Sequence, residues 1–330
     1  MARASRRSPA LEARRSRIPG ALRASVLLGL ALAVPVVGSV GGSQQAPVFR
    51  TGVDLVNVGA TVVDRKGQLV TGLTAEDFEV LEDGRKQTVR YFAAGDERDH
   101  PPSEMHLGLL LDVSESMGDD IRFTRTAAIK FLNTLTDAVD VTVVDFDTEV
   151  RAARYSQSEF ARLIERIRQQ KTTGLTALYD AIGIYLDGAS SQTGRKIMLL
   201  YTDGGDTRSS LRMNELVDLL KASDATVYVI GALDHQSSSA KERARSTLQM
   251  IAETTGGQAF FPSSVKELDQ MYEKVLAEIR AQYTMGYLST NEKSDGAWRK
   301  LDIRLASKEN RDARIRSRKG YFAPYQAAKP

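Results

Sequence analysis

The chain contains no cysteine among its 330 residues and only three histidines. The lack of cysteine excludes disulfides, thiolate catalysis, cysteine-ligated metal and lipid attachment through a cysteine. His100, His106 and His235 are scattered along the chain, and they do not form the helix motif of a zinc protease. The sequence also lacks a Gly-x-Ser-x-Gly elbow and a Walker-type phosphate loop. These absences favour a protein that is not an enzyme.

An excess of positive charge is also lacking once the first forty residues are set aside. The whole chain has a formal net charge of +3. Residues 1–40 hold seven Arg and one Glu, which leaves 38 basic and 41 acidic residues in the remainder. The charge of the main part therefore gives no support for nucleic-acid binding.

Residues 1–41 have the features of an export signal. Seven arginines precede a charge-free apolar stretch, Val26–Val37, and small residues follow at the end of that stretch. An uncleaved membrane anchor is the alternative, but the stretch is shorter than the roughly 20 apolar residues that span a bilayer. We predict a signal peptide, with membrane contact only if it is uncleaved. The protein is then exported and lies in the periplasm, at the cell surface or outside the cell.

Two short β segments flank a longer region with a different pattern. Residues 42–104 and 283–330 carry strand patterns separated by turns, whereas residues 105–282 alternate apolar strands with amphipathic helices. The continuous apolar run at 107–111 is typical of a central strand that is covered on both faces. We predict an α/β fold with a doubly wound, mainly parallel sheet and helices on both faces. Each flank is too short for a stable core, so we expect the two to pair into one small all-β sandwich.

Three arginines alternate with other residues in the last β segment, at Arg314, Arg316 and Arg318. In a strand, such alternation places all three side chains on one face of the sheet. A solvated strand face is one interpretation, and a patch for an anionic polymer or for lipid headgroups is the other.

Three loops rich in oxygen ligands follow or precede elements of the predicted α/β region. They are Asp112–Ser116, Thr172–Thr176 and Thr202–Asp206. In open α/β sheets, ligands bind beyond the carboxyl ends of the strands, where the first and third loops are expected. Carboxylates and hydroxyls without His or Cys suit Mg²⁺, Mn²⁺ or Ca²⁺ rather than zinc.

These loops resemble the metal-ion-dependent adhesion site of von Willebrand factor A (VWA) domains. The resemblance rests on Asp-x-Ser-x-Ser, Gly-x-Thr and Thr-Asp-Gly, which occur in this order on an α/β pattern. It implies that Ser114, Ser116 and Thr176 bind the metal through their hydroxyls and that Asp112 and Asp203 act mostly through waters. It also implies that a carboxylate of a protein partner fills the open coordination position. A domain that keeps the fold without metal is the alternative.

A second, adjacent cation site is a further interpretation of the first loop. Asp119 and Asp120 repeat the offsets of the integrin β-chain version of this loop, where two acids serve a neighbouring calcium site. The alternative is a helix N-terminus, which favours acidic residues without any ligand.

The whole chain resembles the bacterial VWFA-related family of the Acidobacterial type. The matching flanks are Val62-Val63-Asp64, Asp77-Phe78 and Glu82-Asp83-Gly84 before the predicted domain, and 283–287 and 318–322 after it. The resemblance implies an exported adhesion or interaction module that binds a protein ligand, in an unspecified oligomeric state.

Two other functions stay open at the level of sequence. One is a metal-independent scaffold in a cell-envelope complex. The other, less favoured, is a metal-dependent hydrolase in which Asp145 and Asp147 are the nearest acids, although support of the metal loops or simple solvation fits them better.

Overall fold

The computed structural model describes residues 55–95, 104–134, 137–307 and 312–325. The chain divides into two units, residues 1–51 and 52–330, and every described residue belongs to the second. The predicted signal peptide, residues 1–41, lies outside the described residues. Within the described ranges, no helix has the length and apolar character needed to cross a membrane.

The described residues form both strands and helices. The strands are β1 Val56–Val63, β2 Phe78–Glu82, β3 Arg85–Gln87, β4 Val89–Ala93, β5 Met105–Asp112, β6 Ala138–Phe146, β7 Val150–Ser156, β8 Arg195–Thr202, β9 Thr226–Gly231, β10 Gln258–Phe260, β11 Tyr283–Tyr287, β12 Trp298–Leu305, β13 Arg314–Ser317 and β14 Gly320–Phe322. The α-helices are α1 Ile121–Thr134, α2 Phe160–Gln169, α3 Leu178–Ala189, α4 Met213–Ala222, α5 Ser238–Thr254 and α6 Val265–Ala281.

A six-stranded sheet forms the centre of the α/β part, in the order β10-β9-β8-β5-β6-β7. Neighbouring strands are parallel except for β7, which runs antiparallel to β6. Successive side chains of a strand point to opposite faces. Leu109 accordingly packs in the core formed with α1, α2 and α6, and Leu110 packs in the core formed with α3, α4 and α5. The predicted α/β class, with helices on both faces of a mainly parallel sheet, is confirmed.

The strand order reverses at β5. From β5 the chain builds the sheet through β6 and β7 on one side, and it then returns to β8, β9 and β10 on the other. Such a reversal leaves a crevice beyond the carboxyl ends of the strands, because the connections on the two sides move apart. The loops that follow β5 and β8 both lie at this edge.

The two flanks combine in a pair of antiparallel four-stranded sheets, β13-β1-β11-β4 and β14-β12-β2-β3. In both sheets a strand from the first flank pairs with one from the second, as in Val58 opposite Met285 and Val80 opposite Ile303. All four side chains belong to one buried apolar core. The sandwich expected from the flanks is therefore present, while the residue boundaries assigned to the domains stay predictions.

The arginines of β13 and the residues after it contact other parts of the protein. Arg316 forms an ion pair with Glu278 of α6, with 2.6 Å between Nη2 and Oε2. Arg318 donates from Nη2 to the backbone oxygen of Asn57 at 2.5 Å. Only Arg314 is exposed. The interpretation as a solvated face is wrong for Arg316 and Arg318, because both are partly buried in such contacts.

Candidate metal centre

The register of the central sheet brings the first and third loops together. Strands β5 and β8 are parallel neighbours in which Leu111 lies opposite Tyr201. The next residues, Asp112 and Thr202, therefore end their strands side by side. The Thr202 hydroxyl donates to Asp112 Oδ2 at 2.6 Å, which joins the two loops directly.

Asp112 is a completely buried carboxylate whose contacts are neutral groups. Its Oδ1 accepts from the backbone N–H of Ser114 at 3.0 Å and from the Ser114 hydroxyl at 2.6 Å. Burial raises the pKa of Asp112 to about 7, although the hydrogen bonds from Ser114 and Thr202 lower it. The negative charge of nearby Asp203 adds a smaller upward shift to this pKa.

The oxygen cluster continues from Asp112 towards the solvent. Ser114 Oγ lies 3.1 Å from Ser116 Oγ, and Ser116 is exposed whereas Ser114 is buried. A row of oxygen atoms thus runs from a buried carboxylate to an open surface, where a ligand from another molecule can reach it.

The loop that carries Thr176 is bonded to the first loop through the backbone. Glu115 donates its N–H to the oxygen of Gly174 at 3.1 Å, and Thr173 donates to the oxygen of Val113 at 2.9 Å. Gly174 has a φ of +73°, and a Cβ at this position would lie 2.4 Å from the Thr148 hydroxyl. Glycine is therefore required at this turn, which directs the chain to the buried Thr176.

The third loop is bonded to the second at Thr176. The backbone oxygen of Thr176 accepts from the N–H groups of Thr207 and Arg208 at 2.9 and 3.0 Å, and its own N–H donates to Thr207 Oγ1 at 3.0 Å. Asp203, which is 8% exposed, accepts from the N–H of Gly205 at 3.0 Å. The structure thus joins Asp112, Ser114 and Ser116 in one hydrogen-bonded cluster, and it places Thr176 and Asp203 in loops bonded to that cluster.

The donor set fits a hard divalent cation. Carboxylate and hydroxyl oxygens are the ligands that Mg²⁺ and Ca²⁺ take in proteins. Among the described residues no Lys, Arg or His pairs with Asp112, although a buried charge without a counter-ion is costly. No group of three or more His, Cys, Asp or Glu side chains suited to a metal occurs in these ranges. A site here would therefore depend on the hydroxyl ligands.

Asp119 and Asp120 lie beside the first loop but are not part of its hydrogen-bonded cluster. Asp119 is exposed and Asp120 is partly buried. Asp120 Oδ1 lies 3.5 Å from Nε2 of His235. Partial burial raises the pKa of Asp120, against a lowering by His235. A second cation site at these two acids stays a prediction.

Thr202 is the site residue to which the sequence assigned no role. It lies in the Thr-Asp-Gly motif, but the motif alone does not reveal that its hydroxyl bonds Asp112. The available signal is positional, because Thr202 directly follows a buried run that pairs with the strand before Asp112. Thr148 was also missed, and its hydroxyl accepts from the N–H of Leu175 at 2.9 Å.

Asp145 and Asp147 form ion pairs with arginines. Arg151 donates to Asp145 Oδ2 at 2.8 Å and to Asp147 Oδ2 at 2.9 Å, and Arg166 pairs with Asp145 as well. The backbone oxygen of Asp147 accepts from the N–H of Ala177 at 2.9 Å, next to Thr176. Burial raises the pKa of Asp147, but the hydrogen bonds and charge of Arg151 together with backbone N–H donors, among them that of Glu149, outweigh it, and the net shift is downward. Support of the second loop fits these contacts better than proton transfer.

The three histidines differ in position, and His235 lies beside the first loop through its contact with Asp120. His106 is near the start of β5, at the opposite end from Asp112, and its Nδ1 lies 3.1 Å from Asp140 Oδ1. His100 is outside the described residues.

Comparison with known proteins identifies a family by sequence and several solved structures of low similarity. No curated protein sequence matches the chain. The PilB minor pilin from Streptococcus sanguinis is 14% identical, over 56% of this chain and 63% of that one, with a TM-score of 0.44. The von Willebrand factor type A from Catenulispora acidiphila is 13% identical, over 84% and 75%, with a TM-score of 0.45. The vWF domain of a type V pili tip protein from Porphyromonas gingivalis is 13% identical, over 55% and 97%, with a TM-score of 0.44.

The TM-scores of these solved structures are too low to support a functional argument. The family assignment rests on the sequence instead. The family model of the von Willebrand factor type A domain matches residues 106–274, about half of the chain. The match covers all three oxygen-rich loops and most of the central sheet. The chain belongs to the von Willebrand factor type A domain family.

Proposed function

We propose that the chain is an exported interaction module that binds Mg²⁺, Mn²⁺ or Ca²⁺ at the carboxyl edge of its central sheet. Through this cation it binds an acidic residue of a protein partner. The observation that carries the proposal is the buried Asp112 carboxylate, which has neutral neighbours and is joined through Ser114 to the exposed Ser116. Such an arrangement of oxygens favours a cation near the surface.

The residues of the three loops have distinct roles in this proposal. Ser114, Ser116 and Thr176 hold the cation through neutral hydroxyls, while Asp112 and Asp203 orient those ligands and waters around it. Hydroxyl ligands leave the bound cation electron-poor, so that it attracts a carboxylate to its open position. Thr202 fixes Asp112 by the 2.6 Å hydrogen bond and so keeps the cluster in place before a ligand arrives.

A binding role is favoured over catalysis by the surroundings of the cluster. Asp145 and Asp147, the acids considered for hydrolysis, are paired with arginines, and Asp120 beside the first loop lies 3.5 Å from His235. His106 is at the other end of its strand, bonded to Asp140 and to a backbone oxygen. Among the described residues, neither the arginine-paired acids nor His106 is placed to exchange a proton with a substrate at the oxygen cluster.

Calorimetric titration of the chain with Mg²⁺, Mn²⁺ and Ca²⁺ tests the proposal. Thr176→Ala removes one hydroxyl ligand, whereas Thr176→Ser retains it and serves as the matched control. We expect Thr176→Ala to weaken binding by at least about tenfold, since even the loss of an outer-shell partner costs roughly 10–100-fold in affinity. Thr176→Ser should bind nearly as the unaltered chain does.

Two results would contradict the proposal. Equal affinity of Thr176→Ala and Thr176→Ser would place the cation elsewhere. No binding by the unaltered chain would favour the metal-independent scaffold instead.

A further inference from the structure

A cavity lies at the opposite end of the central sheet from the metal centre. It has a volume of about 230 Å³ and opens between the sandwich and the start of β8. Asn57 and Gly59 of β1 line one side, and Arg195 and Lys196, the first residues of β8, line the other. Most of its wall is apolar, with contributions from Leu55 among others. The cavity thus combines an apolar space with two basic side chains.

Arg195 is a cation without an acidic partner among the described residues. Its Nη2 donates to the backbone oxygen of Ile279 and, at 3.3 Å, to Oε1 of Gln282. Both acceptors are neutral, and the Nε of Arg195 is buried with no hydrogen-bond partner. Burial lowers the pKa of Arg195, as expected for a charge that is poorly compensated. An anion near this guanidinium would therefore be strongly favoured.

The acid that lines this cavity, Asp224, already pairs with another cation. Lys196 Nζ contacts the two carboxylate oxygens of Asp224 at 2.7 and 2.9 Å. The Lys196 side chain is 6% exposed and that of Asp224 is 31% exposed, so most of the pair is buried. Asp224 balances Lys196 and leaves the charge of Arg195 in excess.

A second arginine reinforces the excess of positive charge. A neighbouring cavity of about 570 Å³ shares Leu55, Asn57 and Asp224 with the first, and Arg318 lines it. Arg318 donates to the backbone oxygen of Asn57, while its Nε is buried and without a partner. Two buried guanidiniums therefore face one region in which Asp224 already pairs with Lys196.

We propose that this cleft binds a small monocarboxylate with an apolar body, whose carboxylate pairs with Arg195. The planar guanidinium has N–H groups arranged to match a carboxylate, and no described acid pairs with it. The apolar wall excludes water from the body of the ligand and distinguishes it from a simple inorganic anion. This site is separate from the metal centre, since it lies at the amino end of β8 and the oxygen cluster lies beyond the carboxyl end.

The experiment titrates the full chain with hexanoate and follows binding by ligand-observed NMR. Hexanamide, which has the same body without the charge, and inorganic phosphate, which has charge without the body, are the comparison probes. We expect saturable binding of hexanoate, much weaker binding of the other two, and no change when EDTA is added. Equal binding of hexanamide, full displacement by phosphate, loss in EDTA or no saturable binding would each overturn the proposal.

Three variants test whether hexanoate binds at Arg195 and whether the charges of the cavity wall change its affinity in the expected direction. Arg195→Gln should weaken hexanoate binding by about tenfold or more, because it removes a charged hydrogen bond. Arg162→Gln, at a side chain that is 78% exposed on α2, is the matched control and should leave binding unchanged. Asp224→Asn removes the acid from the wall and should strengthen binding.

Arg195→Gln and Asp224→Asn are expected to change hexanoate affinity in opposite directions, so either variant tests the proposal if the other does not fold. A merely structural role for these residues predicts weaker binding in both Arg195→Gln and Asp224→Asn. Unchanged affinity in Arg195→Gln, or weakened affinity in Asp224→Asn, would overturn the proposal.

Discussion

Asp112 belongs to the proposed metal site, and burial of its carboxylate is costly to the fold. Its carboxylate is fully buried and receives hydrogen bonds from Ser114 and Thr202, yet no basic side chain compensates its charge in the described residues. Neutral hydrogen bonds offset only part of the cost of burying a charge. A bound cation would supply the remaining compensation, so stability and metal binding should be linked at this residue.

Asp112→Asn tests this link by removing the charge while keeping the shape and one acceptor oxygen. In EDTA, we expect the variant to be more stable than the unaltered chain by about 1–3 kcal/mol, because a buried uncompensated charge is gone. Addition of Mg²⁺ should raise the unfolding temperature of the unaltered chain and leave that of the variant unchanged. Differential scanning calorimetry in both conditions measures the two effects. A variant that is less stable in EDTA, and still stabilised by Mg²⁺, would show that Asp112 is not linked to a cation in this way.

At the residue scale, the sequence predicted which side chains lie at the carboxyl edge of the sheet but not the hydrogen bonds between them. The order of the three motifs identified Asp112, Ser114, Ser116, Thr176 and Asp203, and the structure places all of them in loops that are bonded to one another. The contact of Thr202 with Asp112 could not be predicted, because it depends on the register between β5 and β8. Whether these residues bind a metal stays a prediction.

Strand β5 holds the first loop in place by close packing against helix α3. A Cβ at Gly108 would lie 2.2 Å from the ring of Tyr185, so the helix approaches the strand at a position where a side chain does not fit. Tyr185 is buried, and its hydroxyl donates to the backbone oxygen of Ile197 in β8 at 3.4 Å. The absence of a side chain at Gly108 therefore allows one aromatic residue to span the two strands that carry Asp112 and Thr202.

Gly108→Ala should destabilise the fold by about 1–3 kcal/mol, the usual cost of overpacking a core. Gly188→Ala, on helix α3 against which Gly108 packs, is the control, because a Cβ there meets nothing within 4 Å. It should be neutral or up to about 1 kcal/mol more stable, since alanine favours helix more than glycine does. Urea denaturation of the two variants measures the difference. Equal stability of both would mean that the sheet shifts freely to admit the extra methyl group.

At the scale of elements, helix α6 begins after Ser264, and Ser264 with Glu267 matches the sequence pattern of a capping box. The Ser264 side chain accepts from the N–H of Glu267 at 3.2 Å, as a capping box requires. The Glu267 carboxylate, however, accepts from the N–H and hydroxyl of Ser263 at 2.8 Å. Local pattern predicts the cap, but the choice of the reciprocal partner depends on the path of the preceding chain.

At the scale of the whole molecule, α6 connects the strand end beside the oxygen cluster with the sandwich. Tyr201, the residue before Thr202, has its ring 6.2 Å from that of Tyr272 on α6. Further along the helix, Glu278 pairs with Arg316 of β13, and α6 continues through Gln282 into β11. The sequence predicted the sandwich from the shortness of its two flanks, but it did not reveal this ion pair, which needs the tertiary positions of β13 and α6.

Hydrogen exchange of residues 265–290 tests whether cation binding at the oxygen cluster changes the dynamics of α6 and β11. If α6 responds to ligation of the oxygen cluster, Mg²⁺ should change amide exchange in this segment relative to EDTA. Glu278→Gln should reduce the response in β11 more than in α6, because it breaks the pairing with Arg316. The same exchange in EDTA, in Mg²⁺ and in Mg²⁺ with an acidic partner would contradict the coupling while leaving metal binding itself untouched.

Anomalous diffraction from crystals of the chain grown with Mn²⁺ tests directly whether the oxygen cluster binds a cation. We predict one strong anomalous peak within bonding distance of the hydroxyls of Ser114, Ser116 and Thr176, at the carboxyl edge of the central sheet. A peak elsewhere, or an oxygen cluster that stays free of metal at saturating Mn²⁺, would contradict this prediction.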